Sequence, residues 1–162
     1  MKGPIEMRLV LRDLNVSTSQ SVFLGPYLST EERKEFADNY MCMNDGFLSF
    51  PLNVPGTALH RAVKARKKVV ATLTECARKS KERMARDQEP SCLLDFWMTN
   101  TIKEIQQAQK EGLPAPPHST NEEIGNTTLD FLFAAQDAST ASLVWTTQFI
   151  AVSSPHSLTT QR

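Results

Sequence analysis

The sequence predicts an all-α protein. Apolar residues recur at three- and four-residue spacings through several long segments. Proline and glycine gather between those segments, where they punctuate helices without breaking them. No run alternates polar and apolar residues in the manner of a half-buried strand. With 162 residues, the chain fits one domain or a piece of a larger one, and about five helices are expected.

Residues 5–24 carry apolar positions at helical spacing, with Gly25 and Pro26 as stop signals. Ser29 precedes the next helix, TEERKEFADNYMCMNDG. Ser29 and Glu32 have the capping-box spacing, and acids crowd the first turn, where the helix dipole favours them. Gly46 either ends this helix or bends it. In FLSFPLNVPG (47–56), Pro51, Pro55 and Gly56 cannot share a helix interior or a central strand, so this is a loop with an apolar surface. A helix then starts near Thr57 and runs over 57–86. Its stripe is Leu59, Val63, Val70, Leu73, Ala77 and Met84, opposite Arg61, Lys64, Lys68, Lys79 and Arg83. Pro90 closes the polar stretch RDQEP, and Ser91 is the expected cap of a helix that reaches Gly112.

LPAPPHS (113–119) is a proline-rich connector, a firm helix separator. A long helix over 119–152 follows, capped by Ser119 or Thr120 with Glu122 or Glu123 in the box position. After Val152 the apolar period stops, and Pro155 sits among Ser and Thr, so the tail 153–162 is expected to be frayed or disordered.

Eighteen basic and eighteen acidic residues cancel, so the overall charge points to no nucleic-acid partner. The basic runs RAVKARKK and RKSKERMAR lie opposite an apolar stripe without interleaved aromatic residues to stack on bases, and they read as solvated helix faces. Cys42, Cys76 and Cys92 are scattered, which argues for reduced thiols. Neither they nor His60, His118 and His156 have metal-ligand spacing, so no metal site is expected. No stretch approaches the roughly 18 apolar residues of a membrane span, and MKGPIEMRLVLRDLN is not signal-like. Glu75 and Arg78 form an E-x-x-R pattern that reads as a surface pair.

The long helix holds the candidate site. Gln136, Asp137, Ser139 and Thr140 interrupt a largely apolar sequence, and a carboxylate there needs a reason. Beside them Ala134, Ala135, Ala138, Ala141 and Ser142 leave one face almost without side-chain bulk. Two readings are open on this evidence: a helix-packing face with a paired Asp, or a surface that a large flat molecule approaches.

The order of these motifs resembles the central part of a cytochrome P-450. That family's long oxygen-side helix carries Ala/Gly-Gly-x-Asp/Glu-Thr-Thr/Ser, which maps onto Ala134, Ala135, Gln136, Asp137, Ala138 and Ser139. FLFAAQDAST (131–140) looks closer still to the sterol C-22 desaturase branch, which shares the Gln-Asp-Ala-Ser run. FPLNVPGTALHRAVKARKKV (50–69) resembles the loop and helix over the substrate entrance in the plant sterol and steroid-hormone clan, and RDLNVSTSQSVFLGPYL (12–28) resembles the branch's preceding helix. The resemblance runs from about residue 6 to about 149.

It implies a partial cytochrome P-450 domain over 1–152 and a tail foreign to the family. It implies haem as cofactor, with Ala134, Ala135 and Ala138 on its oxygen side, Asp137 with Ser139 or Thr140 in proton delivery, and Phe131 and Gln136 facing a sterol. Oxidative loss of two side-chain hydrogens is the implied reaction, with an NADPH-dependent reductase as electron donor. The endoplasmic reticulum membrane is the implied location of the full-length enzyme, with this chain alone soluble or membrane-peripheral. Ala138 stands where most relatives have Thr. None of the three cysteines lies in a Phe-x-x-Gly-x-x-x-Cys-x-Gly loop, the source of the family's thiolate ligand, and Glu75–Arg78 lies upstream of the family's Glu-x-x-Arg position. The chain is therefore expected to be an inactive fragment. The competing expectation is a non-enzymatic all-α interaction module.

Overall fold

A computed structural model describes residues 6–153, with the Asp137 side chain outside that description. Five α-helices and one 3-10 turn follow in order: α1 (Met7–Leu24), the turn Gly25–Tyr27, α2 (Thr30–Gly46), α3 (Ala58–Met84), α4 (Leu93–Glu111) and α5 (Asn121–Ser153). Among the described residues there is no strand, and the all-α expectation holds. The expected tail begins one residue inside α5, and the rest of it lies outside the described residues.

The local signals act largely as expected. Gly25 ends α1 with φ 51°, a conformation that L side chains rarely adopt, and a Cβ there would come within 2.7 Å of Cys92 Cβ. The Ser29 hydroxyl accepts from the Glu32 N–H while the Glu32 carboxylate accepts from the Ser29 N–H, a complete capping box. Gly46 is the last residue of α2, and its role is close packing: a Cβ there would overlap Ala62 Cβ on α3. Thr57 caps α3 by accepting from the His60 N–H at 3.2 Å. Gly112 ends α4 in the left-handed conformation, its N–H returning to the carbonyls of Ala108 and Gln109. For α5, the Thr120 hydroxyl accepts from the Glu123 N–H at 3.2 Å, and the Glu123 carboxylate accepts from the Thr120 N–H at 3.1 Å. Thr120 with Glu123 is thus the box.

Two details differ. The residue that caps α4 is Cys92, which makes no side-chain capping bond. Ser91 instead donates its N–H and hydroxyl to Asp95, in the first turn, at 2.9 and 3.0 Å. The buried stripe of α3 is also rotated from the expected one. It is Ala62, Ala65, Val69, Leu73, Cys76, Ala77, Ser80 and Met84, while Leu59, Val63 and Val70 are only half-buried. Small side chains let neighbouring backbones approach, and this outweighs hydrophobicity in the first half of the helix.

α3 is the central element and packs most extensively on α2 and α5; α1 lies on α5, and α4 on α3. Phe36, Tyr40 and Met43 from α2 and Ile124, Leu129 and Leu132 from α5 close the core around Leu73 and Ala77. Burying a Leu or Ile fully, as at Leu24, Leu73, Ile124 and Leu132, contributes roughly 2 kcal/mol each. α5 crosses α3 at Gly125, where an added Cβ would lie 2.8 Å from the Thr74 backbone nitrogen, so only glycine permits the crossing.

Candidate functional site

α5 packs on α3 and α1, and part of its surface is left open. Ile124, Thr128, Leu129, Leu132 and Gln136 form its buried row. Away from that row Phe131, Ala134, Ala138, Ala141 and Ser142 are exposed and Ala135 is half-exposed, while Ser139 is exposed in line with the row, one turn beyond Gln136. The bare face inferred from the sequence is therefore open in the fold. Toward the end of the helix the exposure becomes apolar and bulky, with Leu143, Trp145 (70% exposed), Phe149, Ile150 and Val152 uncovered. An uncovered apolar surface of this extent marks a place where other matter binds.

The hydroxyls of this region divide. Asn15 on α1 donates from Nδ2 to the Gln136 carbonyl and to Thr140 Oγ1, at 3.0 Å each. The Gln136 side chain, 3% exposed, donates back to the Asn15 carbonyl at 3.4 Å. Gln136 and Thr140 thus lie under α1, roughly 120–160° around the helix from Ala134 and Ala138 at 100° per residue. Gln136 does not share the face of Phe131. Ser139 is exposed and makes no side-chain hydrogen bond among the described residues. Asp137 lies within the helix, its side chain outside the described residues.

Phe131 meets Trp97 of α4 edge to face, with ring centroids 6.1 Å apart. Both line an apolar hollow of about 620 Å³, walled also by Phe23, Leu93 and Leu94. On the α1 side of α5, Gln136, Thr140 and Trp145 border a smaller hollow of about 210 Å³ with Arg8 and Arg12.

A second polar cluster, at the corner of α3 and α4, escaped the sequence reading. Asp95 is fully buried. Its carboxylate accepts from the Tyr27 hydroxyl, from Ser80 Oγ at 2.7 Å, from Arg83 Nη1 at 3.0 Å, and from the Ser91 N–H and hydroxyl. Burial alone would push this carboxyl up, but the bonds from Tyr27, Ser91 and Ser80 outweigh it and hold it below the ordinary range. Burial and the Asp95 contact push the Tyr27 phenol up to about 12. These partners come from three parts of the chain, and the only local signal was Ser91 four residues before Asp95. Glu75 and Arg78 form the expected exposed pair, bonded at 2.6 Å.

The side chains of α5 suit one face of a flat apolar cofactor, because Ala134 and Ala138 allow contact almost to the backbone. An axial thiolate finds no counterpart there. Cys42 is on α2, Cys76 on α3 and Cys92 at the start of α4. Burial pushes the Cys76 thiol up to about 12 and the Cys92 thiol up to about 11, the opposite of a metal-ligating cysteine. Among the described residues no three His, Cys, Asp or Glu side chains converge on a point that could hold a metal ion.

Residues 2–153 match the cytochrome P-450 family as a whole. The chain is 48% identical over 147 residues to Cytochrome P-450 710A2 of Arabidopsis thaliana, covering 91% of this chain and 29% of that protein. It is 31% identical over 153 residues to the C-22 sterol desaturase erg5 of Aspergillus fumigatus, covering 86% and 29%. It is 29% identical over 161 residues to the C-22 sterol desaturase ERG5B of Gibberella zeae, covering 91% and 30%. The chain thus spans less than a third of the length of these relatives.

Proposed function

We propose, on the premise that this chain belongs to the cytochrome P-450 family, that it is the oxygen-side and substrate-covering portion of a haem-thiolate sterol C-22 desaturase. One observation carries the reading: Ala134 and Ala138 form an open, bulk-free surface on α5, beside the aromatic hollow at Phe131. The names of the fungal relatives supply the reaction class and the sterol substrate.

In this reading Ala134, Ala135 and Ala138 lie against the haem, and Phe131 faces the sterol. When bound, haem with a thiolate ligand supplies the oxygen activation that removes hydrogen from an unactivated carbon. The chain's own part is positional and protonic. Alanines at 134 and 138 leave room for a small diatomic molecule and exclude bulk water less than a larger side chain would. Asp137 is the group assigned to carry protons inward, with Ser139 or Thr140 as the hydroxyl that passes them on, because Ala138 has none to offer. Gln136, proposed for the substrate side from the sequence, serves α5 packing through Asn15 in this structure.

The loop between α2 and α3 fits a membrane-peripheral position. Phe47, Leu48, Phe50, Leu52 and Val54 are exposed in succession, Leu48 almost completely at 99%. Among the described residues no helix is long and apolar enough to cross a membrane. Electrons would come from an NADPH-dependent reductase of the endoplasmic reticulum membrane.

Exchange of residues 7–153 into the matching segment of the Arabidopsis relative tests the proposal. The chimera, supplied with a reductase and sterol, is expected to form the C-22 double bond. A chimera that binds haem and carbon monoxide normally yet leaves every sterol unaltered contradicts the reading. The 162-residue chain by itself is expected to show no thiolate-haem band after reduction and carbon monoxide treatment, because Cys76 and Cys92 are buried with their thiols pushed up and Cys42 lies half-buried on α2.

A further inference from the structure

We infer that Asn15 is a positioning residue for the 136–140 turn of α5, and that by committing Thr140 to α1 it leaves Ser139 as the exposed hydroxyl next to Ala138 that α1 does not engage. The placement rests on geometry alone; its bearing on proton transfer rests on the proposed haem-side reading.

Asn15 sits in the interior of α1, where asparagine is a poor helix former. Its single carboxamide nitrogen spans one turn of α5, meeting the Gln136 carbonyl and Thr140 Oγ1 at 3.0 Å each, and its own carbonyl receives the Gln136 amide at 3.4 Å. This is a reciprocal clasp between two helices more than 120 residues apart in sequence.

The clasp also changes what Thr140 does. Other hydroxyls along α5 donate to the carbonyl four residues back: Thr128 to Ile124 at 2.7 Å, Ser142 to Ala138 at 2.9 Å and Thr147 to Leu143 at 2.8 Å. Thr140 makes no such bond to Gln136, whose carbonyl is engaged by Asn15, and its oxygen accepts instead. The half-buried Thr140 is thereby held toward α1, while exposed Ser139 remains free of side-chain bonds among the described residues. Of the two hydroxyls beside Ala138, the fold therefore separates one that anchors the helix from one that α1 leaves exposed.

Thiol labelling of the 162-residue chain tests this without any cofactor. In a Cys42→Ser background the remaining native thiols, Cys76 and Cys92, are buried. Ser139→Cys is expected to react at a rate near that of a free thiol, and Thr140→Cys roughly tenfold more slowly. Adding Asn15→Ala, or the near-isosteric apolar Asn15→Leu, is expected to speed labelling at Thr140→Cys about fivefold, the scale of one part-buried hydrogen bond, with no change at Ser139→Cys. Rescue by Asn15→Leu would assign Asn15 to packing and overturn the inference. Equal reactivity at 139 and 140, or equal acceleration at both, would overturn it as well. Because Thr140→Cys alters the clasp itself, amide exchange at Thr140 and Ala141 with native Thr140 serves as the second readout. It must accelerate in Asn15→Ala and in Asn15→Leu, and no change there contradicts the clasp. Failure of the haem-side reading in the chimera would leave these labelling and exchange results standing.

Discussion

At the corner of α3 and α4, the Asp95 carboxylate receives five hydrogen bonds from Tyr27, Ser80, Arg83 and Ser91, and no side of it meets solvent. The polar turn of α5 is satisfied on one side only. Asn15 engages Gln136 and Thr140, while across the helix Ala134 and Ala138 face open space. A charge can remain in a core only when its partners are all in place, so the first region is complete within these helices. The second combines a specified inner side with an outer side that nothing covers. That contrast separates a structural polar cluster from a surface shaped for something else to rest on.

The largest expected effect is on the closed region. Asp95→Ala strands Arg83, Tyr27 and Ser80 around a vacated site and is expected to cost about 3 kcal/mol in urea unfolding. A loss below about 1 kcal/mol would mean that the cluster is not complete in solution. Its pH dependence has two arms. Asp95 is depressed in the folded state, so its contribution is present above the ordinary carboxylate pKa of about 3.9 and is lost as pH falls through the lower folded value. Tyr27 is raised to about 12, so its contribution is present below the ordinary phenol value and is lost as pH rises toward 12. Urea midpoints across pH should flatten at the acid end in Asp95→Asn; an unchanged acid profile would assign the loss to other carboxyls.

Next in size is the α3–α5 crossing. Gly125→Ala places a Cβ 2.8 Å from the Thr74 nitrogen, and an overpacking cost of about 1–3 kcal/mol is expected in thermal unfolding. Thr120→Ala removes the α5 capping box and is expected to cost about 1 kcal/mol, read as earlier amide exchange in the first turn. Ala138→Leu on the open face is expected to change stability by no more than about 0.5 kcal/mol. A large loss there would show that the face is already packed, and the contrast between the two regions would collapse.

Sequence reading located what is local. Helix ends could be read from Ser29 with Glu32, from Gly25 and Gly112, and from the prolines of the two connectors, because a cap or a backbone restriction acts within a few residues. The bare face of α5 could be read for the same reason, since helical spacing alone places Ala134 and Ala138 together. The Asp95 cluster was hidden because Tyr27 lies 68 residues away and Ser80 on another helix. The seam of α3 was misphased because Ala62 and Ala65 are buried for being small, which hydrophobic periodicity underrates. Asn15 carried no signal at all, since only the packing of α1 on α5 gives its carboxamide a partner.

The central claim is that the open side of α5 is a cofactor-facing surface, and Ala138→Leu tests it in two settings. In the 162-residue chain the substitution is expected to leave the urea midpoint unchanged. In the chimera with the Arabidopsis relative the same substitution is expected to reduce haem content and the carbon monoxide band several-fold, since a leucine would occupy the space beside the cofactor. Full haem loading and an unshifted band with leucine at 138 would contradict the account.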